Sequence, residues 1–125
     1  MPSRPAHVTD AELDVLEVLW KDGTATIRQI TALLYEECTT SRYGTVQKLL
    51  ERLEGKGYVA RDRSRATHVF TATIDRADLI GRELQSIAAR LCDGSLTPLL
   101  VHLTEGARLR PEDRERIRKL IDEAP

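Results

Sequence analysis

The sequence predicts a mainly α-helical chain with a small β-hairpin wing: a winged helix-turn-helix domain followed by a helical dimerisation domain. Three observations predict it. Two amphipathic helical patterns meet at the polar turn Thr39-Thr40-Ser41. A glycine-marked stop at Gly55 and Gly57 then leads into two short β-like runs around a charged tip. From Asp75 onward the periodicity is helical throughout.

Length and composition fit this class. At 125 residues with 41% hydrophobic positions, the chain can bury a core, and with aromatics at 4% aliphatic side chains must fill most of it. Charged residues are 31%, while Gly (7) and Pro (5) are few, which disfavours both disorder and a turn-rich all-β fold. No apolar run approaches the roughly 18 residues that span a bilayer, and the N-terminus lacks a signal peptide's apolar core. A cytoplasmic protein with no stable membrane association of its own is expected.

Residues 1–8, with two prolines and a serine, read as a flexible leader. The winged-helix domain is expected over 9–74. Thr9, with Glu12 three positions on, is a capping box for a helix over about 10–21. Leu13, Leu16, Val18, Leu19 and Trp20 give that helix its apolar face, and Asp22-Gly23 stops it. Thr24-Ala25 reads as a linker to a second helix, capped by Thr26, with Ile27, Ile30, Leu33 and Leu34 as its apolar positions and an end near Cys38. The central helix follows from about Arg42 to Lys56. Val46, Leu49, Leu50 and Leu53 recur at i, i+3, i+4 and i+7 and so occupy one side.

The other faces of that helix carry Arg42, Tyr43, Thr45, Gln47, Lys48, Glu51 and Arg52. Arg, Lys, Gln and Thr hydrogen-bond to phosphates and base edges. Two β-like runs, 58–63 and 67–73, flank a tip at Ser64-Arg65-Ala66 and set Arg61, Arg63, Arg65 and His68 beside the helix. Net charge is −1, which alone points away from nucleic acid, but its distribution is uneven. Residues 42–68 hold Arg42, Lys48, Arg52, Lys56, Arg61, Arg63 and Arg65 against three acids, whereas 9–41 hold two bases, Lys21 and Arg28, against seven acids. A basic second helix with a basic hairpin is the arrangement that reads double-stranded DNA.

The three-helix dimerisation domain is expected over 75–125. Asp75 caps a long helix to about Cys92, with Leu79, Ile80, Leu84, Ile87, Ala88 and Leu91 along one stripe. Asp93-Gly94 stops it. A short apolar helix from about Ser95 carries Leu96, Leu99, Leu100, Val101 and Leu103, and Pro111 opens a last helix with the seam Ile117, Leu120 and Ile121. Three helices with no sheet to cover need a partner; a second copy is the economical one, and internal packing against residues 1–74 is the alternative. The expected dimer interface is Leu84, Ile87, Leu91, Leu99, Leu100, Leu103, Ile117, Leu120 and Ile121, and a homodimer matches a palindromic operator.

With these elements in order, the chain resembles the penicillinase-repressor (BlaI/MecI/CopY) family from Val8 onward. The runs TDAELDVLEVLW, YGTVQKLLERLEGKGYV and LCDGSLTPLLVHL carry the resemblance. It implies a homodimeric transcriptional repressor whose central helix enters the major groove. The positions matching the family's reading face are Arg42, Tyr43, Gly44, Thr45, Gln47 and Lys48, and those matching its wing are 61–67. Antibiotic-responsive members are released by proteolysis at an Asn-Phe bond, which makes a membrane-bound sensor protease the implied partner. His102-Leu103 stands at that bond here. The copper-responsive branch ends in a Cys-x-Cys pair, and no Cys follows Cys92 in this chain.

Catalysis is not expected. His7, His68 and His102 lie far apart with no acid or thiol at ligand spacing, and no phosphate loop or nucleophile elbow occurs. Neither cofactor nor metal is expected, and Cys38 and Cys92 read as reduced, partly buried thiols. The assignment is Thr45, Gln47 and Lys48 to base edges, with Arg52 on the same helix. Ser41, Arg42 and Tyr43 go to phosphate or groove edges, and Arg61, Arg63 and Arg65 to the flanking backbone. The rival is a winged helix that docks a protein without sequence-specific DNA binding. An apolar or acidic central-helix face would favour that rival.

Overall fold

The computed structural model describes residues 7–106 and 109–124. Nine elements follow in order: α1 (Asp10–Asp22), β1 (Thr24–Ala25), α2 (Ile27–Leu34), α3 (Thr40–Gly55), β2 (Val59–Asp62), β3 (Val69–Ala72), α4 (Arg76–Leu91), α5 (Thr97–Gly106) and α6 (Pro111–Glu123). The result is a mainly helical chain with a small antiparallel sheet, as the sequence predicts.

Capping decides where the helices begin. Thr9 and Glu12 form a reciprocal box at α1, and Thr26 and Gln29 form a second at α2. The Thr39 hydroxyl accepts from the Arg42 N–H at 3.1 Å, so α3 starts two residues before the expected Arg42. Gly57 ends it with φ of 80°, its N–H donating to the Glu54 carbonyl while the Tyr58 N–H donates to the Leu53 carbonyl. That paired closure is a Schellman motif, and its left-handed position favours glycine. Helix α2 stops at Leu34 rather than near Cys38, because Tyr35 turns extended (φ −129°, ψ 152°).

The core of the N-terminal unit gathers Val15, Leu16 and Leu19 of α1, Ile30 of α2, and Val46, Leu49, Leu50 and Leu53 of α3 against Tyr58, Val59 and Phe70. Each large aliphatic side chain removed from water contributes about 1.5–3 kcal/mol. The buried stripe of α1 is Glu12, Val15, Leu16 and Leu19. The expected face omitted Val15 and, more notably, Glu12, which falls one turn before Leu16.

Thr24-Ala25 is not a linker but a third strand. It pairs with β3 (Ala25 opposite Phe70), and the sheet order is β1-β3-β2. The wing strands are shorter than expected because Asp62 begins the turn itself. Its carboxylate accepts from the Ser64 N–H (2.9 Å) and hydroxyl (2.6 Å).

Of the leader expected over residues 1–8, only His7 and Val8 lie within the described residues. Val8 is buried in the core, and its N–H donates to Glu83 on α4 at 2.9 Å. Two compact units divide between Ile87 and Ala88, beyond the boundary expected at Asp75. The early turns of α4 belong to the N-terminal unit through buried Leu79, while the Trp20 indole N–H bonds the Ile74 carbonyl at 2.7 Å just before the helix. In the C-terminal unit, α5 and α6 contain no buried residue.

Candidate nucleic-acid interface

Burial of Val46, Leu49, Leu50 and Leu53 turns the opposite faces of α3 outward. Ser41, Tyr43, Thr45, Gln47, Lys48 and Arg52 are exposed, and Arg42 and Gly44 are half-buried. Thr45 donates its hydroxyl back to the Ser41 carbonyl at 3.1 Å. Arg42 folds over the Tyr35 ring, 5.3 Å from its centre, and donates to the Glu37 carbonyl at 3.2 Å. It thereby braces the turn between α2 and α3.

Beside α3 an open groove of about 590 Å³ is walled by three elements. Thr26, Ile27 and Arg28 come from the start of α2, Tyr43 and Gln47 from α3, and Arg61, Ala66, Thr67 and His68 from the wing. The structure thus brings together Tyr43, Gln47, Arg61 and His68 of the expected site. Ser41, Arg42, Gly44, Thr45, Lys48, Arg52, Arg63 and Arg65 lie outside this groove. Arg28 lines the groove although it is not among the residues the sequence singles out. Its signal was a lone cation at the start of α2 in an otherwise acidic stretch.

The wing arginines differ sharply. Arg61 is largely buried: it donates to Glu54 at 3.1 Å, lies 4.9 Å from the Phe70 ring centre and approaches His68 Nδ1 at 3.4 Å. Antiparallel pairing sets Arg61 opposite Phe70, which explains the stacking. It ties α3 to the sheet, a different position from the free backbone-facing cation expected. Arg63 stays mostly exposed, 3.8 Å from Glu54, and Arg65 is exposed at the tip. The Asp62 carboxyl, bonded by the Ser64 hydroxyl and N–H, is held below its ordinary value, so the turn carries a negative charge next to these cations.

No described group of three or more His, Cys, Asp or Glu residues is placed to hold a metal ion. Cys38 is exposed rather than partly buried, Cys92 is half-buried, and both are free thiols. No helix of the described residues is long and apolar enough to cross a membrane.

Residues 8–123 match the penicillinase repressor family. The chain belongs to that family. Its members are transcription regulators and not enzymes. The penicillinase repressor of Bacillus licheniformis is 28% identical over 117 residues, covering 94% of this chain and 91% of its own. An uncharacterised 16.5 kDa protein of Latilactobacillus sakei is 22% identical over 121 residues, covering 97% and 82%. Among solved structures, the DNA-binding domain of the repressor BlaI is 32% identical with a TM-score of 0.50, covering 62% of this chain and 93% of that domain. The winged-helix assignment rests on that likeness together with the strand order of the sheet.

Within this penicillinase-repressor chain, the residues expected at a dimer interface fall on both sides of the division. Leu84 and Ile87 line an apolar groove with Leu13, Trp20, Leu79 and Ile80 in the N-terminal unit. In the C-terminal unit Leu91, Leu100, Leu103, Ile117, Leu120 and Ile121 are exposed, and Leu99 is half-buried.

Proposed function

We propose that the chain is a DNA-binding transcriptional repressor that acts as a homodimer on a palindromic operator. The observation that carries DNA binding is the exposed polar face of α3, flanked by a cationic wing, in a fold shared with the BlaI DNA-binding domain. On this reading α3 enters the major groove. Thr45, Gln47 and Lys48 meet base edges, Ser41, Tyr43 and Arg52 meet phosphates or groove edges, and Arg63 and Arg65 hold the flanking backbone. Gln47 presents both a donor and an acceptor, the pair that matches adenine's major-groove edge.

The exposed leucines and isoleucines of α5 and α6 support the dimer. An isolated three-turn helix without a buried side chain has little to hold it, because helical stability comes mainly from packing an apolar face. A second copy supplies that packing and duplicates α3 about a two-fold axis. The family resemblance implies release by a signal acting on the C-terminal helices, and it puts His102-Leu103 where antibiotic-responsive members carry their cleaved Asn-Phe bond, so cleavage at that particular bond is not part of the proposal.

Selection of bound DNA from a random pool with the purified protein tests this function. Enrichment of a palindrome with half-sites about one helical turn apart is expected. A folded protein that enriches no sequence at physiological salt would instead be a winged helix that docks a protein.

A further inference from the structure

The groove between α2 and the wing has cations on two walls, and they are not equivalent. Arg61 faces Glu54 at 3.1 Å and packs on Phe70, so its charge is largely neutralised within the fold. Arg28, on the first turn of α2, is exposed and pairs with no carboxylate among the described residues. Thr67 on the wing shares the groove with it and offers a hydrogen-bond donor, while Gln47 on α3 borders the groove on the side of the base-reading face. In a helix-turn-helix, the helix before the recognition helix crosses the DNA backbone. A guanidinium there grips a phosphate with two parallel N–H bonds.

We propose that this groove seats a phosphate of the DNA backbone and that Arg28 is the cation that binds it. Arg61 serves the wing's geometry instead. The assignment rests on the DNA-binding function proposed above and adds a contact on α2, outside the recognition helix and the wing tip. It also gives the acidic N-terminal stretch a cation with a task. Residues 9–41 carry seven acids, and Arg28 is one of only two bases there. The other, Lys21, lines a separate groove with Asp14, Glu17 and Asp22.

The test is a salt series of fluorescence-anisotropy titrations with the full chain, using both a random-sequence duplex and the selected operator. Arg28→Ala should weaken both duplexes on the order of tenfold near 0.1 M salt, with a log–log salt slope shallower by about 0.9 for each protomer bound. Arg28→Lys should recover most of the slope and only part of the affinity, because an ammonium replaces the charge without the fork. Thermal melting of Arg28→Ala should match the parent, since the side chain is exposed. An unchanged affinity and slope for Arg28→Ala would overturn the assignment. So would a loss confined to the operator, which would make Arg28 a base reader, or a slope flattened by Arg61→Ala alone. If the parent protein binds neither duplex at any salt, the DNA-binding function itself falls.

Discussion

The Lys56 ammonium lies 2.8 Å from both carboxylate oxygens of Glu12, whose side chain is fully buried. Lys56 also donates to the His7 carbonyl at 2.7 Å. Glu12 belongs to the capping box of α1, and Lys56 is the last residue before the left-handed glycine that ends α3. One ion pair therefore fastens the end of α3 to the beginning of α1. Burial alone would raise the Glu12 pKa, but the bonds from Lys56 and from the Thr9 N–H and hydroxyl outweigh it and hold it below the ordinary 4.5.

This sign fixes a pH dependence. A carboxyl with a lowered folded pKa contributes stability that is complete above its unfolded value and is lost as pH falls through the folded one. Glu12→Gln should cost on the order of 2 kcal/mol at neutral pH, tempered because Lys56 keeps some contact with solvent. The variant should also lose stability less steeply than the parent below about pH 4.5. Urea unfolding across pH 3–7 measures both effects. Parallel curves for the two proteins would mean that Glu12 does not set the acid limb.

Arg61 and Glu54 should behave as a coupled pair. Removing either side chain frees the wing from α3, so the second removal should cost less than the first. A coupling of about 1 kcal/mol is expected for a pair this sheltered. A double-mutant cycle on Arg61→Ala and Glu54→Ala, read by thermal or urea unfolding, gives the value directly. Strictly additive losses would show the two groups to be independent.

The helices, their caps and the four buried positions of α3 are legible because periodicity and capping chemistry are local. Thr24-Ala25 is not, since two residues carry no alternation and its strand exists only through pairing with Phe70 and Thr71. Glu12 reads only as a capping residue for the same reason: the cation that permits its burial lies 44 positions away. The charge of Arg61 points to phosphate in the sequence, and only the register opposite Phe70 reveals its place inside the fold. Arg28 sits within one groove with Gln47 and His68 solely because three elements converge there.

Gly44 offers a separation of folding from binding. An added Cβ meets no atom within 4 Å, and the residue lies inside α3 with ordinary helical geometry. Gly44→Ala should therefore stabilise the protein by about 0.5–1 kcal/mol. If α3 approaches DNA at this turn, the same methyl should weaken operator binding. A raised melting temperature with weakened binding is the expected combination. A raised melting temperature with intact binding would move the DNA contact away from Gly44.

Gln47 and Arg63 should divide specificity from affinity. Loss of the Gln47 amide should cost about 1–3 kcal/mol at the selected operator and blur preference at one base pair. Loss of the exposed Arg63 should weaken all duplexes alike and flatten the salt slope by about one unit. Competition between operator and random DNA distinguishes them. Identical behaviour of Gln47→Ala and Arg63→Ala would dissolve the assigned roles.

The proposed dimer would rest on side chains that the described residues leave in water. Leu120 is 58% exposed and Leu103 54%, so replacing either removes little intrachain packing. Leu120→Glu should place a charge in the proposed interface, where an unpaired buried carboxylate is strongly unfavourable. Sedimentation should then report a monomer in place of a dimer, while thermal unfolding of the winged-helix unit stays close to the parent. Binding to a two-half-site operator should fall far more than binding to a single half-site, because the second recognition helix is no longer tethered to the first. Charge reversal on α6 at exposed Lys119 separates this from a general effect of added acid, since Lys119→Glu lies on the face opposite the Ile117, Leu120 and Ile121 seam. A Leu120→Glu protein that sediments as the parent does would place the two-fold contact elsewhere on the chain.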